Sequence, residues 1–229
     1  MNPLKVFIGF DSREPDAYEV AKYSVLRHSS IELEVVPLIA HDLRNQGVYW
    51  RETDPLASTE FTYTRFLAPH LAGFEGKAVF FDCDFLWCGD IARLMASAIG
   101  EFAVWCVKHN YVPKERTKMD GVVQSDYPRK NWSSLMVFNA NHYSTRKLTV
   151  DTVNSQLPAY LHRMQWADDS EIGELDLTWN WLEGVYEKPE EGVPKAIHFT
   201  RGGPWFDAWQ NVDYAQLWLS ELARAKAAA

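Results

Sequence analysis

A chain of 229 residues that is 47% hydrophobic and 24% charged has the make-up of a folded globular protein and not of a disordered tail. Its 23 lysines and arginines against 31 aspartates and glutamates leave a net charge of −8, which repels nucleic-acid backbones and anionic membrane surfaces and removes both from the expected partners. The length fits one domain over residues 1–229, and the odd set Cys83, Cys88 and Cys106 is too sparse for a disulfide framework. The amino terminus runs straight into a strand-like segment, and no apolar run approaches the roughly 18 residues of a membrane span. A soluble protein of the reducing cytoplasm, without an integral membrane segment, is therefore expected. Ten tryptophans could stack on sugar rings, but large aromatics are more often core, and that reading is preferred.

Leu4–Phe10 reads as a buried strand, Asp11–Pro15 as a turn and helix start, and Ala17, Val20, Ala21, Val25 and His28 as the buried stripe of a helix. Ile31–Leu38 returns as a strand, completing a βαβ opening. Asp42–Ala57 lacks periodicity and is expected as loop, and Thr59–Leu71 as a helix that Pro69 ends or kinks. Lys77–Phe81 is a clear buried strand, continuously apolar between Gly76 and Asp82. Ile91–Ile99 reads as a helix capped by Asp90, Glu101–Lys108 as a strand, and residues 110–129 as a long loop over a cleft. Leu135–Phe138 is strand-like, Thr145–Met164 helical with a break near Pro158, and Ala196–Thr200 a late strand. A closing helix around Tyr214, Leu217, Trp218 and Leu222 is expected with Asp213 as its cap.

The sharpest chemical feature is Asp82-Cys83-Asp84 directly after the Lys77–Phe81 strand. Ligands of open α/β sheets bind at the carboxyl ends of strands, and two carboxylates one residue apart can share a hard divalent cation while leaving positions open for phosphate oxygens. A solvated turn is the bland alternative. A haloacid-dehalogenase-like phosphatase using Asp82 and Asp84 is another, with the first aspartate as nucleophile and Asp168-Asp169 as the later acidic pair, but such enzymes usually carry the motif on their first strand. A non-catalytic module that binds a nucleotide-sugar is the alternative outside the enzymes.

Beyond the aspartates, Arg65-Phe66-Leu67, then Gly76–Asp84, then Gly89-Asp90-Ile91, then Asn131–Asn139, Asp168-Asp169, Trp179-Asn180 and finally His198–Trp205 follow one another in order. This succession resembles the glycogenin and lipopolysaccharide galactosyltransferase family, glycosyltransferases of the GT-A fold, over roughly residues 4–209. The resemblance implies an α/β, Rossmann-like, mainly parallel mixed sheet flanked by helices. It further implies metal-dependent transfer, with retention, of a sugar from a nucleotide donor to the hydroxyl of a glycan or other acceptor. A UDP-sugar is the favoured donor, a GDP-sugar the alternative. Asp82, Asp84 and His198 are the expected metal ligands, and two carboxylates with an imidazole suit Mn²⁺, with Mg²⁺ the alternative.

Asp168, Asp169 and Arg65 are the candidate catalytic residues. Phe10, Asp11 and Arg13 are placed to hold the base and ribose. Asn131, Ser133 and Ser134 are placed for sugar hydroxyls. Lys130, Arg201, Gly202, Gly203 and Trp205 are placed around the diphosphate. Cys83 joins the donor segment with its thiol expected in the core. The family's lysine before Pro-Trp is replaced by Gly203, so another basic group must meet the diphosphate.

Overall fold

A computed structural model describes residues 2–55, 57–110 and 128–228. Six strands form the main sheet: β1 (Leu4–Gly9), β2 (Leu33–Leu38), β3 (Lys77–Phe81), β5 (Val104–Cys106), β6 (Leu135–Asn139) and β7 (Ile172–Glu174), in the order β2-β1-β3-β6-β5-β7. All run the same way except β6, which is antiparallel to both β3 and β5. β3 is buried on both faces, which explains its unbroken apolar run. A second sheet joins β4 (Phe85–Trp87), β9 (Ala196–His198) and β8 (Trp181–Leu182) in the order β4-β9-β8.

Helix α1 (Pro15–His28) buries Ala17, Val20, Ala21 and Val25 as its periodicity predicts. Its Val20 joins Leu86, Ile197, Phe199 and Trp218 in a small core beneath the second sheet. Trp218 belongs to the last helix, α7 (Ala215–Ala228), which is tied to α1 by the ion pair between Arg27 and Glu221. Helix α4 (Ile91–Ser97) starts as expected, with the Asp90 carboxylate accepting from the Ala92 amide at 2.9 Å. Trp87, Trp105, Trp166, Trp179 and Trp218 are fully buried, so half of the tryptophans serve the core.

Several local expectations give way. Part of the expected loop after β2 is helix α2 (Ala40–Asn45), whose single buried residue, Leu43, leaves no stripe to read. The expected 59–71 helix is a 3₁₀ turn (Thr64–Leu67) followed by the short helix α3 (Ala68–Leu71), and Pro69 sits in the first turn of α3, where its missing N–H costs nothing. The 145–164 segment divides into a 3₁₀ turn (Thr145–Lys147), α5 (Val150–Ser155) and α6 (Pro158–His162). Asp213 does not cap α7: Tyr214 intervenes at φ 62°, and the Asp213 amide donates instead to Glu183 at 3.2 Å. Residues 111–127 of the expected cleft loop lie outside the described residues.

The sequence returns from β1 to β2 on one side and to β3 on the other, so the chain reverses its order between β1 and β3. That is a topological switch point, where α/β sheets open a crevice at the carboxyl ends of the strands.

Candidate active site at the end of strand β3

The chain leaves β3 through Asp82-Cys83-Asp84 and at once enters β4, which hydrogen-bonds to β9 in a register that sets Phe85 opposite His198. Two aspartates from the main sheet and one histidine from the second are thereby brought together. Asp82, Asp84 and His198 are 9%, 8% and 2% exposed, and their ligand atoms lie within 4.8 Å of one another.

Each member is held from outside the trio. Arg65 ion-pairs with Asp82 at 2.8 Å, donates to the Ser133 carbonyl at 2.9 Å, and lies over the rings of Phe61 and Phe80. The Asp82 amide donates to the Ser134 carbonyl, and the Phe199 amide to the Asp84 carbonyl. His198 stacks on Phe85 with centroids 4.6 Å apart. Asn180 donates through Nδ2 to the Ser134 hydroxyl at 2.9 Å, which turns its Oδ1 toward His198 Nδ1, also at 2.9 Å. With Nδ1 as the donor, the lone pair on Nε2 faces Asp84 Oδ1 at 3.3 Å. Two electron-pair donors so placed are made compatible by a shared cation or by a proton on Nε2. Two carboxylates and an oriented imidazole therefore fit a divalent metal ion.

The surroundings are acidic. Asp11, fully buried, loses solvation, but the hydrogen bonds and charge of Arg13 outweigh that loss and hold its carboxyl below the usual range. Glu14, which the sequence reading passed over, is 2% exposed; burial, then the charges of Asp84 and Asp11, push its carboxyl up to about 8. Cys83 has its thiol in the core, pushed well up by burial and by the charges of Glu14, Asp84, Asp82 and Asp11, so only its backbone can serve a ligand. His109 bonds Tyr186 at 2.8 Å and is pushed down to about 3 by burial and by the charge of His198.

Other candidates fall into place unequally. Phe10 packs edge-on against Tyr18, and Arg13 also lines a cleft of about 260 Å³ with Arg44, Tyr49, Asp54, Glu60 and Tyr63, beyond the ends of β1 and β2. Ser134 spends its hydroxyl on the Asn131 carbonyl and on Asn180, and Ser133 pairs with His162, so both serve the framework where sugar contacts were expected. Arg201, expected at the diphosphate, pairs with the buried Glu183 at 3.1 Å and covers Trp209. Gly202, at φ 122°, and Gly203 carry the chain to Trp205, which packs on Phe199 and Trp218.

Asp168 and Asp169 stand apart. Both are exposed and precede β7, at the amino end of that strand, whereas Asp82 and Asp84 follow the carboxyl end of β3. Asp168 forms a capping box with Glu171, and Asp169 pairs with Arg129. Asn180, visible in the sequence as part of Trp-Asn, and Glu14, in the turn after β1, are the residues that sequence reasoning left out of the site.

No protein-family model matches the chain. Among solved structures, the apo bifunctional glycosyltransferase WbbM aligns over 96% of this chain and 50% of its own, with 18% identity and a TM-score of 0.67. The apo glycosyltransferase GlyE of Streptococcus pneumoniae TIGR4 aligns over 96% and 60% respectively, with 16% identity and a TM-score of 0.65. The chain thus spans half to three-fifths of those two proteins. The galactosyltransferase LgtC, solved with donor and acceptor sugar analogs, matches over 96% of both chains at 9% identity and a TM-score of 0.64. These neighbours are GT-A glycosyltransferases, and their likeness gives this chain the GT-A fold. Protein CDI of Arabidopsis thaliana is 50% identical over 223 residues, 96% of this chain and 86% of that protein. With that degree of identity over nearly its whole length, the chain belongs to the family of Protein CDI, built on the GT-A fold.

Proposed function

We propose that this protein is a metal-dependent glycosyltransferase that moves a sugar from a nucleotide-sugar, with a UDP-sugar favoured and a GDP-sugar the alternative, to an acceptor hydroxyl. The observation that carries the reading is the buried Asp82–Asp84–His198 trio at the carboxyl end of β3 in a GT-A fold. Asp82, Asp84 and His198 would hold the ion, Mn²⁺ by the donor set, and a divalent ion there supplies charge stabilisation to the departing diphosphate.

The chain's own groups supply the rest. Arg65 fixes Asp82, and Asn180 fixes the tautomer of His198. The cleft beside Arg13 would take the nucleoside, and Asp11, which Arg13 holds, acts on Glu14 together with Asp84. In the transfer the anomeric C–O bond to the diphosphate breaks and its electron pair leaves with the phosphate. The acceptor oxygen bonds the anomeric carbon, and its proton passes to a phosphate oxygen. This route needs no carboxylate nucleophile, since acceptor and leaving group meet on the same face and the product keeps its anomeric configuration.

Thermal denaturation with nucleoside diphosphates and nucleotide-sugars, each with Mn²⁺ or with EDTA, tests the reading. A ligand at about 100 times its dissociation constant stabilises by about 2.7 kcal/mol. A shift that needs the metal and disappears in Asp84→Ala supports it; no shift with any nucleotide under either condition overturns it.

A further inference from the structure

Six carboxylates are buried among the described residues: Asp11, Glu14, Asp82, Asp84, Glu183 and Glu221. Five of them have a basic partner: Arg13 for Asp11, Arg65 for Asp82, His198 for Asp84, Arg201 for Glu183, and Arg27 with Arg224 for Glu221. Glu14 is the exception. It is 2% exposed, and its Oε2 makes no hydrogen bond. Arg13 and the Trp205 indole favour its charged form, but the Arg13 guanidinium is bonded to Asp11 and the indole N–H has no hydrogen-bond partner. A buried carboxylate so placed is costly, and its position calls for a positive charge from outside the chain.

The packing of α1 sets Glu14 beside the trio. Glu14 is the N-cap of α1, and α1 lies along β4: the Trp87 amide donates to Ser24 Oγ at 3.1 Å, and Val20, one turn earlier, meets Leu86. From Ser24 back to Glu14 the helix descends about 15 Å, and from Trp87 back to Asp84 and Asp82 the chain covers roughly 10–16 Å, so both reach the same level. The electrostatics agree. After burial, the charge that acts most on Glu14 is that of Asp84, and the charge that acts most on the Cys83 thiol, between the two aspartates, is that of Glu14. Asp82 and Asp84 together balance a divalent ion, while the Arg65 guanidinium on Asp82 leaves one positive charge over, which a Glu14 carboxylate cancels. The three residues whose ligand atoms lie within 4.8 Å of one another do not include Glu14, so its place is outside the ligand set.

We propose that Glu14 is a positioning residue of the metal centre, an outer carboxylate that strengthens the hold of Asp82, Asp84 and His198 on a divalent ion without being one of its ligands. The proposal rests on the metal-site reading above. Its test is calorimetric titration of Mn²⁺ into wild type, Glu14→Gln and Glu14→Asp, beside melting temperatures of the same proteins in EDTA. Glu14→Gln should bind Mn²⁺ roughly tenfold to a hundredfold more weakly, while its melting temperature in EDTA stays at that of wild type because no partner within the chain is lost. Glu14→Asp, which keeps the charge on a shorter stem, should recover part of the affinity. Glu19→Gln removes an exposed carboxylate from the same helix and should bind as wild type does, which controls for net charge. Mn²⁺ affinity of Glu14→Gln equal to wild type overturns the assignment. So does a Glu14→Gln that melts far below wild type in EDTA, since Glu14 would then be a structural residue. A wild type that binds no Mn²⁺ overturns the metal reading itself, a failure visible before any variant is compared.

Discussion

Asn180 shows how one uncharged side chain can set the chemistry of a charged site. It is fully buried, donates to Ser134 and presents its carbonyl oxygen to His198 Nδ1, which leaves the Nε2 lone pair available to a cation of the kind proposed. Removing such a partner commonly costs tenfold to a hundredfold, to order of magnitude, in metal affinity. Asn180→Ala is therefore expected to weaken Mn²⁺ binding by about tenfold or more in isothermal titration, and an unchanged affinity would show that His198 needs no such support. His162 makes a second prediction at this scale. Packed on Phe66 and bonded to Ser133, it is pushed down to about 3 by burial, with the charges of Arg65 and Arg51 adding to the effect. The folded protein keeps the ring neutral while the unfolded chain protonates near its ordinary value. Its contribution is thus present above about pH 6.5 and is lost progressively as the pH falls toward 3. Melting temperatures of wild type and His162→Gln between pH 7 and 5 check this: the variant should lose less stability on acidification.

The elements that complete the site are short. β4, β8 and β9 have three, two and three residues, and their hold on one another comes from the small core of Val20, Leu86, Ile197, Phe199 and Trp218 beneath them. Helix α7 supplies Trp218, and Trp218 supports Trp205 in the loop after His198. Trp218→Ala should cost about 3–5 kcal/mol in urea unfolding, the usual range for a large buried aromatic. A loss below about 1 kcal/mol would mean that α7 is not a working part of this core. Of these, β9 is legible in the sequence as the Ala196–Thr200 strand, whereas β4 and β8 are too short to display a period. The five residues of β3 could be read to the residue, since burial on both faces leaves an unbroken apolar run between Gly76 and Asp82.

Across the whole molecule, the trio that could hold a metal joins the two sheets: Asp82 and Asp84 follow the main sheet's β3, and His198 ends β9 of the second. An ion bound there would tie one sheet to the other. Mn²⁺ without nucleotide should therefore slow amide hydrogen exchange in β4 and β9, at Leu86 and Ile197, and raise the melting temperature. Equal exchange with and without Mn²⁺ would argue against a bridging ion.

The sequence by itself determined the βαβ opening, the buried β3 and the cap of α4, and it singled out the three residues that come together as a group able to hold a metal, because each is a local pattern or part of a motif whose order along the chain resembles a known family. Tertiary structure decided what those residues touch. Ser133 and Ser134 became framework, Arg201 turned to Glu183, and Asp168 and Asp169 settled on Glu171 and Arg129. Asn180, whose Trp-Asn motif gives it no role by itself, and Glu14, which no motif marks, entered the site. The reason is physical: a side chain's type is written locally, but its partners are chosen by residues that reach the same place from distant parts of the chain.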